Sequence, residues 1–302
     1  MGAYPMTAQM LPISNQWQET KALYNSATVG TREDLYITAL YRMQWIGIKG
    51  APVDMLLLSD IPLNFLGKQH GVGITISGQK KGLFINSELK GQYDFQLSLM
   101  KGILSIGLEA GLFNSSFDGT KIFIPDDEGL SPNDPALPQQ QVSGHAFDMG
   151  LGLYYTHRNL YVGLAATHLF EPKIALGTNH FIRIRRNYTL MAGYNILPSN
   201  SLLTWHPGIL AVSDFQSWRI DLTLGMAFNQ RYFAQVMYRW GVEAGFSVGM
   251  KFGKIRVGYA FSMPTSELAR GNYGTHELVL SYAIPKTKKK DLGIKKKSIR
   301  LL

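Results

Sequence analysis

The chain has no cysteine, which excludes a disulfide framework, thiol catalysis and a cysteine-ligated metal. It has no run of about 18 apolar residues, and its mean hydropathy of −0.04 fits that absence, so it holds no helical membrane span. Charge is scarce, at 17% of residues. The common catalytic signatures are missing too. There is no G-x-S-x-G and no Walker-type phosphate loop, and His276-Glu277 lacks the second histidine of H-E-x-x-H. The histidines are scattered, and His157 with Asp148 would make an acid–base pair only if the fold brought them together. The expectation is a non-enzymatic protein without cofactor or metal.

The formal charge of +9 would suggest a nucleic-acid partner if it were spread over the fold. It is not. Lys286, Lys288, Lys289, Lys290, Lys295, Lys296, Lys297 and Arg300 face Asp291 alone, while basic and acidic side chains nearly balance over the rest. The basicity belongs to a tail, and no nucleic acid is expected.

What the chain does have is alternation. Leu35, Ile37, Ala39, Tyr41, Met43 and Trp45 alternate with Tyr36, Thr38, Leu40, Arg42 and Gln44 before Gly47, Gly50 and Pro52 end the run. A period of two sets an apolar, aromatic-ended face against a mixed polar one. The same grammar is clear in 103–113, 145–156, 159–170, 186–197, 218–228, 231–240, 243–252, 254–262 and 275–284, and weaker in 53–61, 71–79, 83–99 and 203–213. About fourteen such segments predict an all-β fold, a single antiparallel transmembrane β-barrel in the outer membrane of a Gram-negative bacterium. Loop lengths sort by parity. Met100 to Gly102, His157 to Asn159, Asn229 to Gln230 and Gly253 to Lys254 are tight, whereas Ser115 to Ser143, Glu171 to Arg185 and Met263 to Gly274 are long. Short periplasmic turns and longer external loops follow, with both termini periplasmic.

The inward set Arg42, Glu109, Asp148, Arg219, Asp221, Arg239, Glu243, Lys251, Arg256 and Glu277 mixes both signs. Selective pores carry a dominant sign, so this pattern reads as a lumen charge network that stiffens or closes the barrel. Trp45, Trp205, Trp218 and Trp240, with several tyrosines, fall near strand ends as interfacial girdles against outer-membrane lipid. Asp118, Asp126, Asp127, Glu128 and Asp134 in the longest loop lack calcium-loop spacing. In the tail, Leu292 and Ile294 interleave with the lysines and Arg300, as partner-binding anchors would.

The stretch A-L-Y-R-M-Q-W-I-G-I-K-G-A-P at 39–52, followed by G-V-G-I-T-I-S, resembles the opening of the PorP/SprF outer-membrane proteins of type IX secretion. So do L-S-I-G-L-E-A-G at 104–111, D-M-G-L-G-L-Y-Y at 148–155 and Y-V-G-L-A-A-T-H-L at 161–169. Y-R-W-G, V-G-Y-A-F-S and G-T-H-E-L-V-L-S-Y continue it to residue 282. Residues 24–30 depart from it, with Ser26 where the family has the proline of an Asn-Pro-Ala turn. The resemblance implies an outer-membrane component of type IX secretion, linking the barrel to a periplasmic ring or lipoprotein assembly or to secreted surface cargo such as an adhesin. The alternative is a general porin or small-solute channel. The expected organisation is a signal-peptide remnant at 1–8, an N-terminal periplasmic segment at 9–34, the barrel at 35–284 and a basic periplasmic tail at 285–302.

Overall fold

The structure is a computed structural model that describes residues 12–121, 140–177, 180–199 and 201–286. Its strands are β1 (Leu35–Met43), β2 (Val53–Phe65), β3 (Lys68–Lys81), β4 (Phe84–Leu99), β5 (Gly102–Asp118), β6 (Gln141–His157), β7 (Leu160–Thr167), β8 (Lys173–Leu176), β9 (His180–Arg183), β10 (Asn187–Tyr194), β11 (Leu203–Ser213), β12 (Trp218–Phe228), β13 (Tyr232–Arg239), β14 (Glu243–Phe252), β15 (Ile255–Pro264) and β16 (Thr275–Ile284). All but β8 and β9 form one closed antiparallel barrel in sequence order. β1 closes on β16, from Leu35 opposite Ile284 to Met43 opposite His276. β8 and β9 form a separate two-stranded hairpin within the connection from β7 to β10, which the sequence reading leaves as plain loop.

The period of two survives in three dimensions. On β12, Trp218, Leu222, Leu224, Met226 and Phe228 point outward, while Arg219, Asp221 and Thr223 are buried inside. Closure pairs every wall strand on both sides, so no edge is left to lipid. The outward leucines, valines and aromatics then form the hydrocarbon-facing band, and Trp218 and Trp240 mark one end of it.

The interior is partly apolar as well. Leu40, Leu56, Leu58, Met191, Leu210, Val212 and Val279 point inward and pack with Trp17, Leu23, Tyr24 and Ala27 of the N-terminal segment in one buried cluster. This explains the weak alternation of β2. In V-D-M-L-L-L-S-D, Met55 and Leu57 face lipid while Leu56 and Leu58 face this inner core, so both faces are oily.

One end of the barrel carries the tight connections 66–67, 100–101, 158–159, 229–231 and 253–254, with only 195–202 longer. This tight-turn end also holds the start of β1 and the end of β16. The opposite, long-loop end carries 119–140, 168–186 and 265–274, alongside the shorter 44–52, 82–83, 214–217 and 240–242. Parity therefore sorts the longest loops, not every connection.

The segment 9–34 is expected in the periplasm, and the structure corrects this for its described residues, 12–34. They thread the lumen, with a short helix α1 (Lys21–Tyr24) and Trp17, Leu23, Tyr24, Ala27 and Val29 all buried. The apolar side chains gain by leaving water for the inner core, a gain that a period-two reading cannot register.

Leu224, midway along β12 and facing outward, gives a direct test of the wall. Leu224→Arg should destabilise the refolded barrel in lipid vesicles by about 2–4 kcal/mol in urea unfolding, the cost of a basic residue at mid-bilayer. An unchanged unfolding midpoint would place residue 224 away from hydrocarbon.

Candidate functional site

The N-terminal segment is a plug built from ordinary pairing rules. A peptide inside a barrel cannot join the strand ladders, so its polar groups need inward side chains as partners. Glu277 on β16 supplies the first set. Its carboxylate accepts from the Asn15 amide at 2.8 Å, the Gln16 amide at 3.1 Å, the Ser14 hydroxyl at 3.1 Å and the Gln16 side chain at 3.3 Å. Asn15 also donates to Ser262 Oγ at 2.9 Å, and its carbonyl accepts from Gln235 at 3.0 Å.

The segment then crosses the lumen. Gln18 donates to Thr223 Oγ1 at 3.2 Å, Glu19 pairs with Arg256 at 2.7 Å, and Gln92 donates to the Ala22 carbonyl at 2.7 Å. The Lys21 ammonium lies 3.7 Å from the Tyr161 ring centroid, a cation–π contact that offsets part of its desolvation. Asn25 donates to the carbonyls of Leu153 and Leu164 at 2.9 and 3.3 Å. The same side chain accepts from the Ala27 amide at 2.9 Å and starts a single 3-10 turn over Ser26–Thr28. Ser26 occupies the first position of that turn, where proline's missing N–H and fixed φ are tolerated, so the departure from the family's Asn-Pro-Ala leaves docking intact. Near the tight-turn end the Gly30 amide and Arg32 both donate to Asp60, at 3.0 and 2.7 Å.

Close approach sets the wall's composition. A Cβ at Gly107 would overlap the Ala27 backbone, and one at Gly71 would overlap the Val29 carbonyl. Any side chain there would push the plug off the wall.

Six of the ten inward charges come together. Arg42 lies 3.1 Å from Glu243, 3.5 Å from Asp54 and 3.7 Å from Glu277. Arg239 pairs with Asp221 at 2.6 Å and with Glu243, and reaches Asn15 Oδ1 at 3.4 Å. Arg219 stands 3.4 Å from Asp221, with its guanidinium over the Tyr24 ring. Arg42, Arg219, Asp221, Arg239, Glu243 and Glu277 thus meet around Ser14 to Gln16. The other four do not join them. Glu109 belongs to a second group with Lys90, at 3.3 Å, and Glu88. Asp148 pairs with His168 at 2.6 Å, so the acid–base partner considered for it, His157, is not its neighbour; His157 stacks on Tyr155. Arg256 turns to Glu19 in the plug. Lys251 stays exposed near the tight-turn end.

Sequence reasoning missed Asp54, Asp60, Lys90 and every plug residue. Asp54 and Asp60 flank the oily L-L-L-S of β2, where a two-faced apolar run hides inward polarity. The signal for the plug was the run of amides and hydroxyls at Ser14 to Gln18 around a lone tryptophan, which reads as loop without a barrel to fill. Of the basic tail residues, only Lys286 is described, its amide 3.4 Å from Asp34 Oδ1 and its ammonium 2.8 Å from the Pro62 carbonyl. Lys288, Lys289, Lys290, Leu292, Ile294, Lys295, Lys296, Lys297 and Arg300 lie outside the described residues, as do Asp126, Asp127, Glu128 and Asp134 of the acidic loop. Asp118 is described and bonds to Thr120 and Lys121. Among the described residues no three His, Asp or Glu side chains gather as a metal site.

Chemically, the arrangement holds a peptide in place. A cavity of about 50 Å³ remains between Gln16, Gln18 and Glu19 of the plug and the wall at His206, Gln235, Ser247 and Arg256.

Removing the Glu277 carboxylate should loosen the plug and spare the wall. Glu277→Ala leaves the amides of Asn15 and Gln16 without their acceptor and Arg42 short of one counter-charge, a loss of about 3–5 kcal/mol. Hydrogen exchange should speed up at Asn15 and Gln16 with β12 to β15 unchanged; equal protection in the variant would refute the anchor. Gly107→Val should expose residues 12–34 to protease while the barrel keeps its folded gel mobility, and a protease-resistant variant would contradict the close approach.

The comparisons fit this geometry. Residues 6–282 match the model of the family described as type IX secretion system membrane protein PorP/SprF. No curated protein matches the chain. Among solved structures, Omp33 of Acinetobacter baumannii superposes with a TM-score of 0.50 at 6% identity, over 84% of this chain and 100% of that one. The toluene transporter TbuX of Ralstonia pickettii gives 0.50 at 13% identity, over 86% and 91%. These two likenesses show the fold: a closed outer-membrane type of barrel. The family match spans nearly the whole chain, and the chain is a member of the PorP/SprF family of type IX secretion system membrane proteins.

Proposed function

We propose that this chain is a closed, non-enzymatic outer-membrane component of type IX protein secretion, which links its barrel to a periplasmic ring or lipoprotein assembly, or to secreted surface cargo. The observation that carries the reading is the filled lumen. Porins keep a polar, water-filled passage, whereas here Trp17, Leu23, Tyr24 and Ala27 pack with inward leucines, valines and tyrosines across the barrel. A barrel that spends its interior on holding its own N-terminal segment suits a fixed component of a machine better than a solute channel.

In this reading the tight-turn end faces the periplasm, because outer-membrane barrels carry short periplasmic turns and longer external loops. The chain leaves β16 at that end, where Lys286 is held against Asp34 and Pro62. The lysine-rich sequence beyond it, with Leu292 and Ile294 among the charges, serves as the docking segment for the periplasmic partner. Charge draws the tail to an acidic surface, and the apolar side chains hold it there.

Affinity purification from native membranes in mild detergent, with the full-length chain beside one ending at Pro285, separates the possibilities. Full-length protein should bring down ring or lipoprotein subunits and the shortened chain should lose them, with both barrels equally folded. Equal recovery would remove the tail from the contact. Recovery of no secretion component by either chain would contradict the linking role.

A further inference from the structure

The tight-turn end carries a ring of positive charge in addition to the tail. Each tight turn there bears one exposed basic side chain: Lys68 beside 66–67, Lys101 in 100–101, Arg158 in 158–159, Arg231 in 229–231 and Lys254 in 253–254. None of the five makes an ion pair among the described residues, nor does the exposed Lys251 just inside the mouth, whereas Arg32 pairs with Asp60 and Arg256 with Glu19. The acidic side chains near this rim are Glu33 and Asp34, and Asp34 accepts the Lys286 amide. Two of the five stand where the backbone is left-handed, Lys101 at φ 63 and Arg158 at φ 53. Glycine or asparagine would sit there at lower cost, so the charges are not a by-product of turn chemistry. At the long-loop end Lys121 pairs with Asp118 and Arg183 with Glu171, while Lys49, Lys80, Lys173 and Arg270 are exposed and make no ion pair among the described residues; what sets the tight-turn end apart is one basic side chain at each tight turn.

The turn tips also lie beyond the aromatic residues that end the same strands. Phe65 precedes the first turn, Tyr155 bonds to the carbonyls of Leu99 and Met100 under the second, and Phe228 with Tyr232 and Phe252 flank the last two. Aromatic side chains at strand ends mark the lipid headgroup level. Lys101, Arg158, Arg231 and Lys254 sit in the turns beyond these aromatics, on the side of the aqueous compartment, while Lys68 opens β3 opposite Phe65 and stands level with it. We infer that the rim formed by Lys68, Lys101, Arg158, Arg231 and Lys254 is a second docking surface, for a protein that presents a ring-facing surface rich in aspartate and glutamate. The inference rests on the periplasmic placement of this end under the proposed function, and it adds a contact independent of the tail. Long-range attraction speeds encounter, and a ring of like charge fixes how the barrel sits on its partner.

A photo-crosslinking residue at Gln230, in the full-length protein in its own outer membrane, tests it. The wild-type rim should give adducts to an acidic protein, and their yield in isolated envelopes should fall as salt rises. Changing Lys68, Lys101, Arg158, Arg231 and Lys254 together to glutamine, with the tail intact, should reduce that yield about tenfold at physiological salt. Adducts to lipid alone, or a yield indifferent to both salt and the five substitutions, would overturn the inference. If the substituted barrel fails to fold, the wild-type salt titration still decides. A rim without effect beside a tail that still recovers secretion subunits would leave the linking role standing, whereas no protein partner by either route would remove both.

Discussion

Glu277 is a carboxylate buried on the inner face of a protein wall, and the rest of the interior follows from what it needs. An ionised carboxylate withdrawn from water costs several kcal/mol unless it is paired and hydrogen-bonded. The wall alone offers it Arg42, which is also shared by Asp54 and Glu243. The remaining partners come from Ser14, Asn15 and Gln16. The plug in turn needs Glu277, because two successive backbone amides in a lumen have few other acceptors. Wall and plug therefore complete one another, and the network joins residues at opposite ends of the sequence through one side chain.

From that anchor the segment is guided by alternating means: polar contacts to Thr223, Gln92 and Asp60, an apolar cluster around Trp17 and Tyr24, and backbone close to Gly107 and Gly71. Each is modest alone. Their sum explains why inward leucines occur on β2, where a water-filled barrel would have polar side chains. Outside, the same strands present a continuous apolar band to lipid. The chain thus has two hydrophobic surfaces, one for the membrane and one for itself, separated by the thickness of a single strand.

Much of the wall was legible in the sequence because a half-buried strand leaves a period-two trace. β12 and β15 show it plainly, and the inward charges Arg42, Asp221, Arg239, Glu243 and Glu277 could be read from it. Of the strands that were hard to read, β2, β3 and β11 meet the plug with apolar side chains or carry small residues for its close passage, whereas β4 turns Asn86, Glu88, Lys90, Gln92, Asp94 and Gln96 inward and interrupts its outer face with Ser87 and Gly91. The plug itself was missed because its structure is specified by partners far away in sequence, Asn15 with Glu277 and Ser262 and Asn25 with Leu153 and Leu164, and no local pattern encodes such pairs. The family resemblance named the secretion system from ordered motifs, yet it was silent on what fills the barrel. Charge told a similar story: counting along the chain located the tail, but five single basic residues in five separate turns became a rim only once the barrel brought those turns to one end.

Planar-bilayer conductance of the purified full-length protein tests the closed lumen most directly. A barrel filled by residues 12–34 should insert and stay electrically silent at moderate voltage, while the same barrel with residues 12–31 deleted should pass steady current. Stable porin-like openings from the intact protein would contradict the closed lumen and return the chain to the solute channels.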